Sequence, residues 1–504
     1  MAEREAFDVV VAGGGAAGCV VAARLAESAS RSVLLLEAGP DLRADLPDDI
    51  RGGWHMTRDF DWGYASERKE FGDVQKIRRV KLLGGTSSIV RFAVRGSPMD
   101  YNEWAALGNP GWDFDGVLPY LLRLETDFEF GDQPWHGASG PIPVTRYPEV
   151  ERTEVHRAAL EALDAVGFPA VEDHNRPGAV GAGPMPFSSR DGRRVTTASA
   201  YLPDGGTPPN LTIRPDSQVD RIIFEGAGVG AIRATGVRLV DGSTISAACV
   251  VLSAGTYGSP PILMRSGIGP AKHLRSVGVD VRVDLAGVGA NLADHPSIAI
   301  ESEYRGPVRP EPLLHTIATF HSSRVAGDGP PDLMLWISEP VADPDGPTIF
   351  EIDPVLLKPR ATGRVGLRSS DPADAPVISL PVPDQFDVER LAEAYRRGME
   401  VANHPSVRAF CAVPSTPHLR GDELHEWIRQ TVYSIPHVVG TCAMGPSPDT
   451  GAVVDAAGRV YGTEGLFVVD ASIMPTVPSA FTHIPTIMIA ERLSEQIGSF
   501  LGGS

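Results

Sequence analysis

Apolar residues follow one another without alternation in Asp8–Ala12 and again in Ser32–Leu36. That is the pattern of parallel strands covered on both faces. Between them stand the glycines Gly13-Gly14-Gly15 and a segment, Ala16–Glu27, that predicts a helix. Strand, turn, helix and strand together predict a βαβ unit. Four further apolar-rich runs lie between Asn210 and about Ala290 and read as successive strands: 211–214, 221–224, 236–239 and 249–255. Near the C-terminus, Gly465–Ser472 reads as a buried strand ending in an acid, followed by a helix from Thr486 to about Phe500. Residues 297–440 have a different texture. Asp332–Ile337 and Gly363–Arg368 read as strands, the second alternating polar and apolar, and Asp387–Asn403 has the period of an amphipathic helix. This middle stretch predicts an inserted domain on an antiparallel sheet.

The glycine turn carries chemistry. Gly13, Gly15 and Gly18 spell G-x-G-x-x-G directly after a strand and at the start of a helix. In that setting the first glycine permits the tight turn and the second lets backbone approach a pyrophosphate. The third lets the helix pack close to the sheet. The N-terminal amides of the helix, at Ala16 and Ala17, would face the phosphates. Glu37 lies 19 residues beyond Gly18 at the end of the second strand, with Ala38 after it. A carboxylate there suits ribose hydroxyls and disfavours a 2′-phosphate, which excludes NADP and leaves FAD and NAD. Asp470 closes its strand in the same way, either to meet the ribityl-phosphate part of a flavin or as a helix N-cap.

Composition narrows the picture. A chain of 504 residues predicts two or three domains. Its formal charge of −19 argues against a nucleic-acid partner. Cys19, Cys249, Cys411 and Cys442 are scattered without metal-ligand spacing, which suits a reducing compartment and predicts no metal site. The first strand begins almost at the N-terminus, with no room for a signal peptide, and no apolar run is long enough to span a bilayer. A cytoplasmic location is expected.

Several longer motifs carry a family resemblance. These are Gly255–Gly269, Gly287–Pro296, Asp100-Tyr-Asn-Glu-Trp104, residues 356–369, His437-Val-Val-Gly-Thr-Cys-Ala-Met-Gly445 and Asp470–Pro475. With these motifs in the right order along the chain, and over essentially all of it, the sequence resembles the glucose–methanol–choline oxidoreductases, FAD enzymes that oxidise alcohols. The resemblance implies an α/β fold with a Rossmann-like FAD-binding domain and an inserted α+β substrate domain on an antiparallel sheet. The FAD-binding domain would be assembled from residues 1–100, 205–296 and 445–504. Residues 101–204 and 297–444 would form the substrate-binding domain and flavin-covering segments. FAD contacts are implied for Gly84, Gly85, Thr86 and Ser87, and for Val219, Ala254, Asp470, Ala471 and His483. The substrate would be a small alcohol and the electron acceptor O2 or a redox partner.

His437 aligns with the active-site histidine of that family, where a neutral imidazole takes the hydroxyl proton as hydride leaves the carbinol carbon. Three departures stand out. Phe481 occupies the position of a second polar residue, and His483 follows two residues later. Either His483 joins His437 as the catalytic pair, or it lies against the flavin and Phe481 makes the pocket apolar. Ile89 stands where some members attach the flavin through histidine, so FAD is expected to be non-covalent. Val90 replaces an asparagine and Arg91 is added, which should alter the flavin's surroundings. Phe481 and Phe92 suggest a primary alcohol with an aromatic or apolar body. A lyase that keeps FAD without net redox chemistry is the alternative. His55, His136, His295 and His315 read as surface or structural residues, and Trp54, Trp62, Trp104 and Trp112 as filling of the seam between domains.

Overall fold

A computed structural model describes residues 5–52, 60–67, 74–147, 152–203, 206–225, 231–308, 315–340 and 346–502. Its first sheet contains eight strands among these residues. Leu211–Arg214, Val33–Leu36, Ala6–Ala12 and Thr244–Leu252 lie side by side in parallel. The last of these is long enough to serve two neighbours: its end at Val250–Leu252 pairs in parallel with Leu466–Val468. Its beginning pairs antiparallel with Ile232–Leu239, which in turn pairs with Val219–Glu225. Val9–Val11 and Val33–Leu35 are fully buried, as strands covered on both faces must be.

The turn after the first strand is built as the glycine spacing predicts. Gly13 sits at φ +106°, and a Cβ there would come within 2.6 Å of the Ser253 carbonyl oxygen. At Gly18 a Cβ would lie 1.8 Å from the Gly13 carbonyl oxygen, so only glycine lets the helix Ala16–Ala26 start this close to the sheet. This helix packs against the C-terminal helix His483–Gly502, which begins three residues earlier than the sequence pattern predicts. Glu491 of the C-terminal helix is completely buried and accepts hydrogen bonds from Arg24, Arg123 and Tyr201.

The second sheet is antiparallel and contains seven strands among the described residues. Its centre is Ile349–Leu356, Leu333–Ser338 and His315–Phe320, flanked by Gly181–Pro184. One face carries the helix Gln385–Ala402 over Ile352, Leu335 and Ile300. The other presents Ile317, Met334, Trp336 and Val355 to the first half of the molecule. Arg364–Gly366 is not part of this sheet; it forms a separate hairpin with Val377–Ser379. The Gly363–Arg368 run alternates in sequence because one side of that hairpin packs on Leu292 and Tyr257.

Residues 101–204 divide between the two cores. Trp104, Trp112, Leu121, Leu124 and Val144 pack with the first sheet. Val155, Ala159, Leu163 and Phe168 pack with the second. The tryptophans do not form one cluster: Trp104 and Trp112 lie 6.0 Å apart, whereas Trp62 stacks on Tyr64 beside the central cavity. Trp54 and His55 lie outside the described residues.

Candidate active site

A cavity of about 440 Å³ opens between the ends of the parallel strands and the antiparallel sheet. It is lined by Gly13, Gly15, Ala16, Ala17, Glu37, Ala38, Gly85, Thr86, Ser87, Val219, Ala254, Asp470, Ala471, His437, Phe481, His483 and Phe92. Of the catalytic, cofactor-binding and substrate-pocket residues expected from the sequence, Gly18 and Gly84 are not at its wall. Gly18 is consumed by the close packing described above. Gly84 donates its N–H to the Gly14 carbonyl and so seats the Gly85–Ser88 turn against the glycine loop.

Three helices begin at this cavity, at Ala16, Gly255 and His483. Their free N–H groups and positive dipole ends favour a polyanionic ligand. Gly15 leaves its side of the turn open, since a Cβ there would touch nothing within 4 Å. The Glu37 carboxylate is anchored by the N–H groups of Gly14 and Gly39, and burial pushes it up to about 7. Asp470 accepts from Gly255 N, Ser259 Oγ and Ser472 N, so it caps two turns at once. Two polar atoms at the wall, His483 Nε2 and Tyr257 Oη, are buried with no hydrogen-bond partner among the described residues. Such atoms await a ligand. A strand-end carboxylate, a glycine loop, converging helix N-termini and orphaned polar atoms fit a dinucleotide cofactor.

At the other end of the cavity stands His437. Its backbone N–H donates to Asp294 Oδ1, which also accepts from His295 N, while Asp294 Oδ2 accepts from Ser434 Oγ. The His437 ring packs on Phe481, with ring centres 4.7 Å apart. Its Nδ1 lies 3.1 Å from Nδ1 of His295, and His295 Nε2 lies 3.1 Å from the Pro478 carbonyl oxygen. A carbonyl only accepts, so His295 carries its proton on Nε2 and offers a lone pair at Nδ1. His437 must then donate from Nδ1, which leaves a lone pair on its Nε2. Burial, then the neighbouring His295 and Arg79, hold His437 well below the usual histidine range. Burial and the Lys358 charge bring His295 down to about 3. Both rings are neutral at neutral pH.

An aromatic wall adjoins this pair. Phe481 is 4.7 Å from Phe92 and 5.3 Å from Trp336, centre to centre, and Trp336 donates from Nε1 to His315 Nδ1. His295 is therefore not a surface residue, since it touches His437, and His315 is half-buried and packs edge-on against Phe92 in the wall. Arg91 turns away from the cavity and lays its guanidinium over the Phe187 ring, 4.3 Å from its centre. His483 makes no hydrogen bond to His437. Burial and the Arg194 charge lower it to about 4. Sequence reading set His295 aside as a surface or structural residue and did not single out Asp294 or Trp336. The Gly287–Pro296 motif that holds Asp294 and His295 was visible, but only the fold shows which ring His295 meets.

Residues 7–297 and 359–490 match the models of the two GMC oxidoreductase domains. The chain belongs to the GMC oxidoreductase family. It is similar to 5-(hydroxymethyl)furfural oxidase of Methylovorus sp. (strain MP688), 35% identical over 97% of this chain and 98% of the relative. It is 33% identical to choline oxidase of Arthrobacter globiformis, over 100% of this chain and 96% of that one. Among solved structures, pyridoxine 4-oxidase from Mesorbium loti superposes with a TM-score of 0.88 at 30% identity, covering 97% of this chain and 99% of that one. Membership makes this GMC protein an FAD-dependent oxidoreductase acting on CH–OH groups. Among the described residues no helix is long and apolar enough to cross a membrane, and no side-chain cluster could hold a metal ion.

Proposed function

We propose that this GMC enzyme oxidises a primary alcohol with an aromatic or otherwise apolar body, with His437 Nε2 taking the hydroxyl proton. The observation that carries this reading is the hydrogen-bond chain from Pro478 through His295 to His437, which leaves a lone pair on Nε2 beside an aromatic wall. FAD, when bound, accepts the hydride that leaves the carbinol carbon. Gly13–Ala17, Glu37, Gly85–Ser87 and the start of the C-terminal helix would hold it. No nucleophile stands at Ile89, which supports non-covalent attachment. His483 Nε2 supports a role against the cofactor rather than against substrate.

His437 has two tasks in this account. Its Nε2 orients the alcohol by accepting its O–H, and it takes the proton as the carbon–hydrogen bond breaks. A depressed pKa keeps Nε2 unprotonated at neutral pH but makes it a weak base. Proton transfer is therefore favourable only together with loss of hydride from the carbon, which discourages free alkoxide in the site. Phe92, Phe481 and Trp336 offer no carboxylate to a cationic head, and their faces suit a flat ring.

Anaerobic titration of the purified holoenzyme with benzyl alcohol, 5-(hydroxymethyl)furfural and choline tests the assignment. The first two are expected to bleach the oxidised-flavin band and choline to leave it unchanged. Bleaching by choline alone would overturn the substrate class. A band unmoved by every alcohol yet removed by dithionite would favour the non-redox lyase chemistry of this fold.

A further inference from the structure

Two of the motifs described above, Asp100–Trp104 and the Lys358 region, lie outside the lining of the cavity, yet they converge on one short segment. Ser479 Oγ donates to Asp100 Oδ2 at 2.6 Å. Lys358 Nζ donates to Asp100 Oδ1, to Glu103 Oε2 and to the Val477 carbonyl, at 3.2, 2.7 and 2.8 Å. Trp104 Nε1 donates to the carbonyl and the hydroxyl of Thr476, whose Oγ1 also donates to Glu103 Oε2. Gly96, at the end of the loop that starts with Gly84, packs on the same place. A Cβ there would lie 3.1 Å from Asp100 Oδ2 and 3.5 Å from the Ala480 side chain. Thus every residue from Thr476 to Ser479 except Pro478 is held by side chains of these two motifs. Pro478 is the residue whose carbonyl meets His295.

We propose that Asp100 and Lys358 are positioning residues for the catalytic histidine: they clamp the 476–479 segment so that the Pro478 carbonyl fixes the proton on His295 Nε2 and thereby keeps the Nε2 lone pair of His437. The inference rests on the reading of His437 as base. A carbonyl displaced by about an ångström would release the His295 tautomer. His437 would then hold its proton on either nitrogen, and its Nε2–H form cannot accept from an alcohol. Misplacement of that size costs up to about 100-fold in rate.

The clamp also acts through charge. Lys358 is partly buried, and although desolvation alone would lower its pKa, Asp100 and Glu103 raise it, so it stays cationic. The charged and titratable groups that face the histidine pair are Lys358, Arg79 and Asp294. Removing the Lys358 charge lets His295 protonate at a higher pH.

Three variants, Ser479→Ala, Lys358→Met and Lys358→Arg, test the clamp in the holoenzyme, with His437→Ala alongside. The readouts are anaerobic flavin reduction by benzyl alcohol across pH and long-range ¹H–¹⁵N spectra of histidine-labelled protein. Ser479→Ala is expected to keep its FAD, to reduce about tenfold more slowly, and to lose the unprotonated-nitrogen signal assigned to His437 Nε2. Lys358→Met should shift the acid limb of the rate profile up toward pH 6.5, with Lys358→Arg restoring it. Should Lys358→Met fail to fold, Ser479→Ala decides alone. Wild-type rates and an unchanged His437 signal in Ser479→Ala, with His437→Ala inactive, would overturn the clamp and leave the base standing. An unimpaired His437→Ala would instead remove the reading on which the clamp rests.

Discussion

At the scale of single residues, the account turns on a protonation pattern rather than on a list of polar groups. His437 and His295 are neutral because they are buried, and the Pro478 carbonyl decides which nitrogens carry the protons. The sign follows directly. A histidine held below its usual range is already an acceptor above pH 6.5, and it loses that role only when the pH falls well below this value. Flavin reduction is expected to be flat from about pH 6.5 upward, with any acid limb well below. Stopped-flow reduction across pH checks this, and a limb at or above pH 7 would contradict it. Phe481 packs on both His437 and Trp336, so Phe481→Ala should weaken binding of a flat alcohol more than it slows reduction. Burying one aromatic side chain less costs about 2 kcal/mol, or roughly a 30-fold rise in the dissociation constant. Titration of reduction rate against benzyl alcohol separates the two effects.

At the scale of elements, what could be read from the chain and what could not have physical causes. The βαβ unit was legible because Gly13 and Gly18 each answer to one steric demand, and because buried parallel strands show as unbroken apolar runs. Gly18→Ala should abolish FAD retention, since its methyl would collide with the Gly13 carbonyl; cofactor content after gel filtration is the check. The start of the last helix was less legible. The pattern placed it at Thr486, yet proline is tolerated in a first helical turn, and the helix begins at His483, ahead of Pro485. Residues 356–369 showed a motif but no contact, because Lys358 works on a segment more than a hundred positions away. The pairing of His295 with His437 spans a similar distance, and no local pattern encodes it.

For the whole molecule, a buried charge network ties together the loops and short strands between residues 95 and 173. Arg95, at the end of the Gly84–Gly96 loop, lies 3.5 Å from Glu125, and Glu125 meets His136 Nδ1 at 2.8 Å. His136 also meets Asp173, which Arg146 ties to Asp127. Burial alone would lower the His136 pKa, but the hydrogen bonds to Asp173 and Glu125 outweigh it and raise the pKa above the usual value. A raised histidine stabilises fully below pH 6.5 and loses that contribution as pH climbs through its folded pKa. The melting-temperature deficit of His136→Gln should accordingly be larger at pH 6 than at pH 9. An equal deficit at both would mean that His136 acts only by packing. The same network holds the Gly84–Gly96 loop, which meets the Gly13–Gly15 turn at one end and the 476–480 segment at the other, so the glycine turn and the histidine pair share one support.

The most direct test of the account is the rate of anaerobic flavin reduction by benzyl alcohol in His437→Ala against wild type, at pH 8 and at matched FAD content. General-base catalysis of this kind contributes about 10²–10⁴-fold, and a loss of that size with cofactor binding intact is the expected result. Reduction at the wild-type rate would show that the proton leaves by another route and would remove His437 from the centre of the mechanism.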